Sequence, residues 1–117
     1  MRDNAAMSDD SQLFVPESFI AVYRAPGRLK PSLPREALAG RYECCEDMAQ
    51  SLLDAVTQAQ ARQDLPEEAV LEGVVQSLTQ PPLALPPLEA RWVACRISEL
   101  LQWPMPEPPQ AGQTGQE

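Results

Sequence analysis

The sequence predicts an all-α fold, a small antiparallel three-helix bundle with an additional short N-terminal helix and disordered termini. Three observations lead there. Apolar residues recur at helical spacing over three long stretches. Prolines, thirteen in 117 residues, fence those stretches. The one run that could also be a strand, Phe19 to Tyr23, has no second strand candidate to pair with. An apolar fraction of 44% suffices for a modest core. The expected layout is a polar, acidic tail over 1–13, one helical domain over 14–103, and a Pro/Gln-rich tail over 104–117 that lacks the residues to pack. Met7 opens a second plausible start, which makes 1–6 a candidate extension.

In the first element, Pro16 and Glu17 suit a helix start and put Phe19, Ile20 and Tyr23 on one face. Residues 24–33 read as a loop, because two prolines and Gly27 interrupt any regular structure. From Pro34 to about Arg62 the sequence predicts one long helix. Its stripe is Leu38, Tyr42, Cys45, Ala49, Leu52, Val56 and Ala59, spaced alternately by four and three. The small members of that stripe favour close helix packing over a strict coiled coil.

Asp64-Leu65-Pro66-Glu67 resembles a capping box for the next helix, which runs to about Gln80 on Val70, Leu71, Val74, Val75 and Leu78. Pro81-Pro82 ends it. After Pro86-Pro87 a last helix, about Leu88 to Trp103, carries Ala90, Val93, Ile97, Leu100 and Leu101 on its main face, with Trp92 and Trp103 off its centre.

The composition excludes much chemistry. With no histidine there is no Ser-His-Asp or Cys-His catalysis and no His-containing zinc site. No cofactor, metal or catalytic residue is expected, and the chain reads as a non-enzyme. A formal charge of −8 argues against nucleic acid as a partner. No apolar run approaches the roughly 18 residues a membrane helix needs, and no signal-peptide pattern opens the chain, so a cytoplasmic protein is expected. Cys44, Cys45 and Cys95 form no disulfide framework and read as reduced thiols, with a redox or metal sensor as the alternative.

The charge is unevenly spread. Residues 1–42 hold six basic and five acidic groups, net +1, whereas residues 43–117 hold three and twelve, net −9. Arg24, Arg28, Lys30, Arg35 and Arg41 cluster around the loop. Two readings stay open: the loop folds onto the acidic helices, or it presents Arg28 and Lys30 to an acidic protein partner. Tyr23, Arg24, Trp92 and Trp103 complete the candidate partner surface, and Trp92 lies one turn from Arg96, within range of a cation–π contact. Phe14 is expected to help seal the bundle with the other aromatics.

Glu43, Asp47 and Asp54 form a candidate acidic face. It reads as solvated, as paired (Glu46 or Asp47 with Arg91 or Arg96), or as a carboxylate site. With Glu67, Glu68 and Glu72 it would also suit an acidic inhibitor or nucleic-acid mimic that binds DNA-binding proteins. The core is marginal for this length, so self-association is a further expectation.

Several stretches resemble a group of short proteobacterial proteins: Val15-Pro16-Glu17-Ser18-Phe19-Ile20-Ala21, Pro26-Gly27-Arg28, Arg41 through Ala49, Glu89-Ala90-Arg91-Trp92-Val93, and Leu100-Leu101-Gln102-Trp103. Members of that group often carry the label of ATPases with chaperone activity. The resemblance implies a bacterial cytosolic protein. No phosphate-binding G-x-x-x-x-G-K-S/T is present, so it implies work beside a chaperone or protease ATPase rather than ATP hydrolysis. The function class expected is therefore a non-catalytic adaptor or regulator.

Overall fold

The computed structural model describes residues 14–104, 106, 108 and 109, and among these there are five helices. They are α1 (Glu17–Val22), α2 (Arg35–Ser51), α3 (Leu53–Gln63), α4 (Glu67–Thr79) and α5 (Pro87–Leu101). There is no strand among the described residues. The tail expected over 1–13, and most of the one expected over 104–117, lie outside the described residues.

Proline starts the helices. Pro16, Pro34, Pro66 and Pro86 each occupy the position before the first helical residue, with φ between −57° and −66° and ψ between 143° and 158°. Proline is well suited there, because its missing N–H is not needed and its φ is already set. No side chain caps any of these starts. Instead the first turns carry Glu17, Glu36, Glu67 with Glu68, and Glu89, which favour the positive end of the helix dipole.

Two expected boundaries differ. The long helix is divided at Leu52, whose N–H is shared between the carbonyls of Met48 (3.1 Å) and Ala49 (3.2 Å). The Ser51 hydroxyl donates to the same Met48 carbonyl at 2.9 Å, and this kind of back-bonding bends helices. The predicted stripe is thereby split. Its first half, on α2, packs against α5, and α3 packs against α4. Asp64 does not cap α4. It closes α3 in the left-handed region, at φ 54°, a conformation that Asp tolerates better than most residues.

The core centres on α5, which packs against α1, α2 and α4. Contact on several sides explains why Glu89, Ala90, Trp92, Val93, Ala94, Cys95, Ile97 and Ser98 are all buried. The small residues among them let neighbouring helices approach closely. Phe19 is fully buried and ties α1 to this core. Its ring stands edge-on to Trp92 at 5.2 Å and to Tyr42 at 5.8 Å, and Tyr42 meets Trp92 edge-on at 5.8 Å. Such edge-to-face pairs add to simple burial. The Trp92 indole N–H donates to the Ser18 hydroxyl at 3.0 Å, so its polar atom is satisfied.

Phe19→Ala removes the ring that meets Tyr23, Tyr42 and Trp92 and leaves a cavity. A loss of about 3–5 kcal/mol is expected, read as a fall in the urea midpoint. A loss below about 1 kcal/mol would show that α1 is not part of the core.

Candidate functional site

The polar centre of the molecule is Glu89, whose side chain has no solvent exposure. It lies one turn before Val93 on α5, and the same helical spacing that buries Val93 and Ile97 buries Glu89. Both of its oxygens are occupied. Arg41 on α2 forms a two-pronged ion pair, with Nε donating to Oε2 at 2.9 Å and Nη2 donating to Oε1. The Tyr23 hydroxyl, just past α1, donates to Oε2. The Cys45 thiol on α2 donates to Oε1 at 3.5 Å. One carboxylate thus joins three elements of the fold.

Burial pushes the Glu89 carboxyl up. The hydrogen bonds from Arg41 and Tyr23, the Arg41 charge and the Cys45 contact outweigh it, and the net shift is below the ordinary carboxylate value. Burial and the bond to Glu89 raise the Tyr23 hydroxyl. Burial, then the Glu89 charge, raises the Cys45 thiol. The Cys95 thiol is pushed up to about 11, mainly by burial. The thiolate is the reactive form of cysteine, so both buried thiols are held in the inert form. Cys44 is exposed.

The candidate residues fall into separate places. Glu43, Asp47 and Asp54 are exposed, whereas Glu46 pairs with Arg96 at 2.8 and 3.1 Å, one of the pairings weighed from the sequence. Arg96 also donates to Glu99 at 3.0 Å, so two carboxylates engage the guanidinium that a Trp92 cation–π contact would require. Tyr23 and Trp92 are absorbed into the core, and Trp103 is half-buried against it. Phe14 is 72% exposed and does not seal the bundle. Among the described residues no group of three or more acidic or cysteine side chains is placed to hold a metal ion. None of the described helices is long and apolar enough to cross a membrane.

The basic residues divide likewise. Arg41 belongs to the Glu89 cluster, and Arg24 pairs with Glu17 at 2.7 Å. Arg28 and Lys30 remain exposed. Ala25-Pro26-Gly27-Arg28 forms a turn closed by the Arg28 N–H to the Ala25 carbonyl at 3.1 Å. Gly27 sits at φ 79°, which the third position of such a turn demands. Leu29, next in line, is 93% exposed. Pro108 and Pro109 return to this region and line a cleft of about 600 Å³ together with Arg24 and Arg28.

A second surface feature was not foreseen from the sequence. α3 and α4 leave between them an open apolar groove of about 460 Å³.

No family model, curated protein or solved structure matches this chain.

The Glu89 cluster sets a pH dependence. Its folded carboxyl titrates below the unfolded value of about 4.3, so its contribution is complete above that pH and is lost as pH falls through the folded value. Arg41→Leu strands a buried carboxylate and is expected to cost about 3–5 kcal/mol at neutral pH. The sign then inverts, because the lone carboxyl is easier to bury protonated. The deficit relative to the parent, followed by urea unfolding, narrows as pH falls from neutral toward about 4. A deficit that stays constant or widens contradicts the assignment.

Proposed function

We propose that this protein is a non-catalytic interaction module, an adaptor or regulator in the bacterial cytoplasm that works beside a chaperone or protease ATPase. Its frame is read as an antiparallel arrangement of α2 with α3, α4 and α5, with α1 packed across it. The observation that carries the reading is Leu29, 93% exposed between the exposed Arg28 and Lys30 on a turn-held loop. A large apolar side chain flanked by two cations, and held out by a proline-glycine turn, suits contact with an acidic protein surface.

The non-catalytic part of the reading draws on the polar centre. Glu89 has the burial that often marks a catalytic carboxyl, but its oxygens are spent on Arg41, Tyr23 and Cys45. Its lowered protonation equilibrium suits a fixed counter-ion, not a group that exchanges protons near neutrality.

Arg28, Leu29 and Lys30 are exposed, so Arg28→Glu, Leu29→Ser and Lys30→Glu combined should change stability by about 0.5 kcal/mol or less. The combined variant is expected to lose the proteins that the parent retains in a quantitative affinity purification from bacterial lysate. Unchanged recovery would remove the loop as the contact surface.

A further inference from the structure

The described residues beyond α5 turn back onto the fold. Gln102 closes α5 in the left-handed region, at φ 61°, and the Trp103 N–H donates back to the Ser98 carbonyl at 2.9 Å. Pro106 is half-buried, and its carbonyl accepts the Cys95 thiol at 3.9 Å, nearly two turns back along α5. Pro108 and Pro109 then line a cleft with Ala21 of α1 and with Arg24 to Arg28. Pro109 is fully buried, although it lies well past the end of the last helix. The tail expected not to pack therefore does so at Pro106 and Pro109.

The two sides of this cleft suit each other chemically. Residues 104–109 hold four prolines in six positions. Proline fixes φ near about −65°, so such a segment is close to extended before it binds and loses little freedom when it does. The receiving side offers small apolar surface from Ala21, Ala25 and Pro26. Arg24 and Arg28 line the same cleft, and its acid, Glu17, is already paired with Arg24 at 2.7 Å. Arg24 Nε is buried without a hydrogen-bond partner, a donor that a carboxylate can satisfy. Residues 104–117 carry Glu107 and Glu117 and no base, so the tail is opposite in sign to the two arginines.

We propose that the cleft between α1 and the Ala25–Arg28 turn is a binding site for a proline-rich acidic segment of a partner protein, and that the chain's own Pro108 and Pro109 hold it until such a segment displaces them. Proline-rich segments are recognised through their preformed shape, and a charge beside them fixes the choice of partner. The tethered tail acts at an effective concentration of about millimolar order, so a free segment competes with it directly. With the tail seated in about nine molecules of ten, a free segment binds about tenfold more weakly than it does to the empty cleft. The cleft shares Arg28 with the loop surface proposed above, but Leu29 and Lys30 are not among its lining residues, so the two readings are tested separately.

The probe is a fluorescein-labelled peptide with the sequence of residues 104–112, read by fluorescence anisotropy against the full chain. One control peptide replaces its four prolines by serine, and a second replaces its glutamate by lysine. The parent is compared with a full-length Pro108→Ser, Pro109→Ser variant. Both changes lie outside every helix, so its circular dichroism and melting temperature should stay close to those of the parent. The variant is expected to bind the probe at least about tenfold more tightly than the parent does. The serine control should not bind, and the lysine control should bind more weakly. Pro109→Ala alone is the milder form of the same change, with the same direction of effect. Adding Arg28→Glu to the double variant should weaken binding at least about tenfold. Adding Leu29→Ser with Lys30→Glu instead should leave binding within about threefold, even where it abolishes retention of lysate proteins. Absence of probe binding to the double variant overturns the proposal. So does equal binding by parent and variant, equal binding of the probe and its serine control, or binding that Arg28→Glu does not weaken. A parent dimer that Pro108→Ser with Pro109→Ser dissolves would assign the cleft to the tail of a second copy and overturn it equally.

Discussion

A carboxylate with no contact to solvent must be neutralised by its neighbours, and the fold is arranged so that Glu89 is. Its partners arrive from two other elements: Arg41 and Cys45 from α2, and Tyr23 from the end of α1. Removing α1 or shifting α2 by a turn leaves a charge in the core without its bonds. Such a pair contributes little net stability, since desolvation offsets most of the attraction, but it strongly penalises any arrangement in which it is broken. Its work is therefore to fix how α1 and α2 sit on α5. The aromatic group of Phe19, Tyr42 and Trp92 packs beside it and supplies the burial that the ion pair does not.

Around that centre the chain uses proline as its main punctuation. Four helices begin immediately after a proline, with an acid in the first turn in place of a capping side chain. Helix ends rely on the left-handed conformation, at Asp64 for α3 and Gln102 for α5, although neither residue is glycine. The sharpest charge contrast follows the same division. Pairing neutralises much of the charge on α1, α2 and α5, whereas among the described residues Asp54, Asp64, Glu67, Glu68 and Glu72 of the α3–α4 unit are in no ion pair.

Much of this was legible in the sequence. Prolines and apolar periodicity located the helices, and the pairing of Glu46 with Arg96 was among the readings that spacing allowed. The break at Leu52 was not legible, because the apolar stripe runs through it and the Ser51 back-bond is a local competition that periodicity does not register. Asp64 misled because an acid before a helix looks the same whether it caps that helix or closes the one before. Glu89 carried a readable signal, its position one turn before Val93 on the buried stripe, but residue type overrode spacing. Exposure at Arg28 and Lys30 was one of two readings the loop allowed, and which other arginines would be consumed by core partners depended on tertiary packing.

The central claim is that Glu89 is a permanently ionised structural node. Carbon-13 NMR titration of its side-chain carboxyl in the folded protein measures this directly. The account predicts titration below the ordinary carboxylate value of about 4.3. Titration well above that value would mean that burial wins over Arg41 and Tyr23, that the carboxyl is carried protonated, and that a proton-exchanging group lies at the centre of the fold.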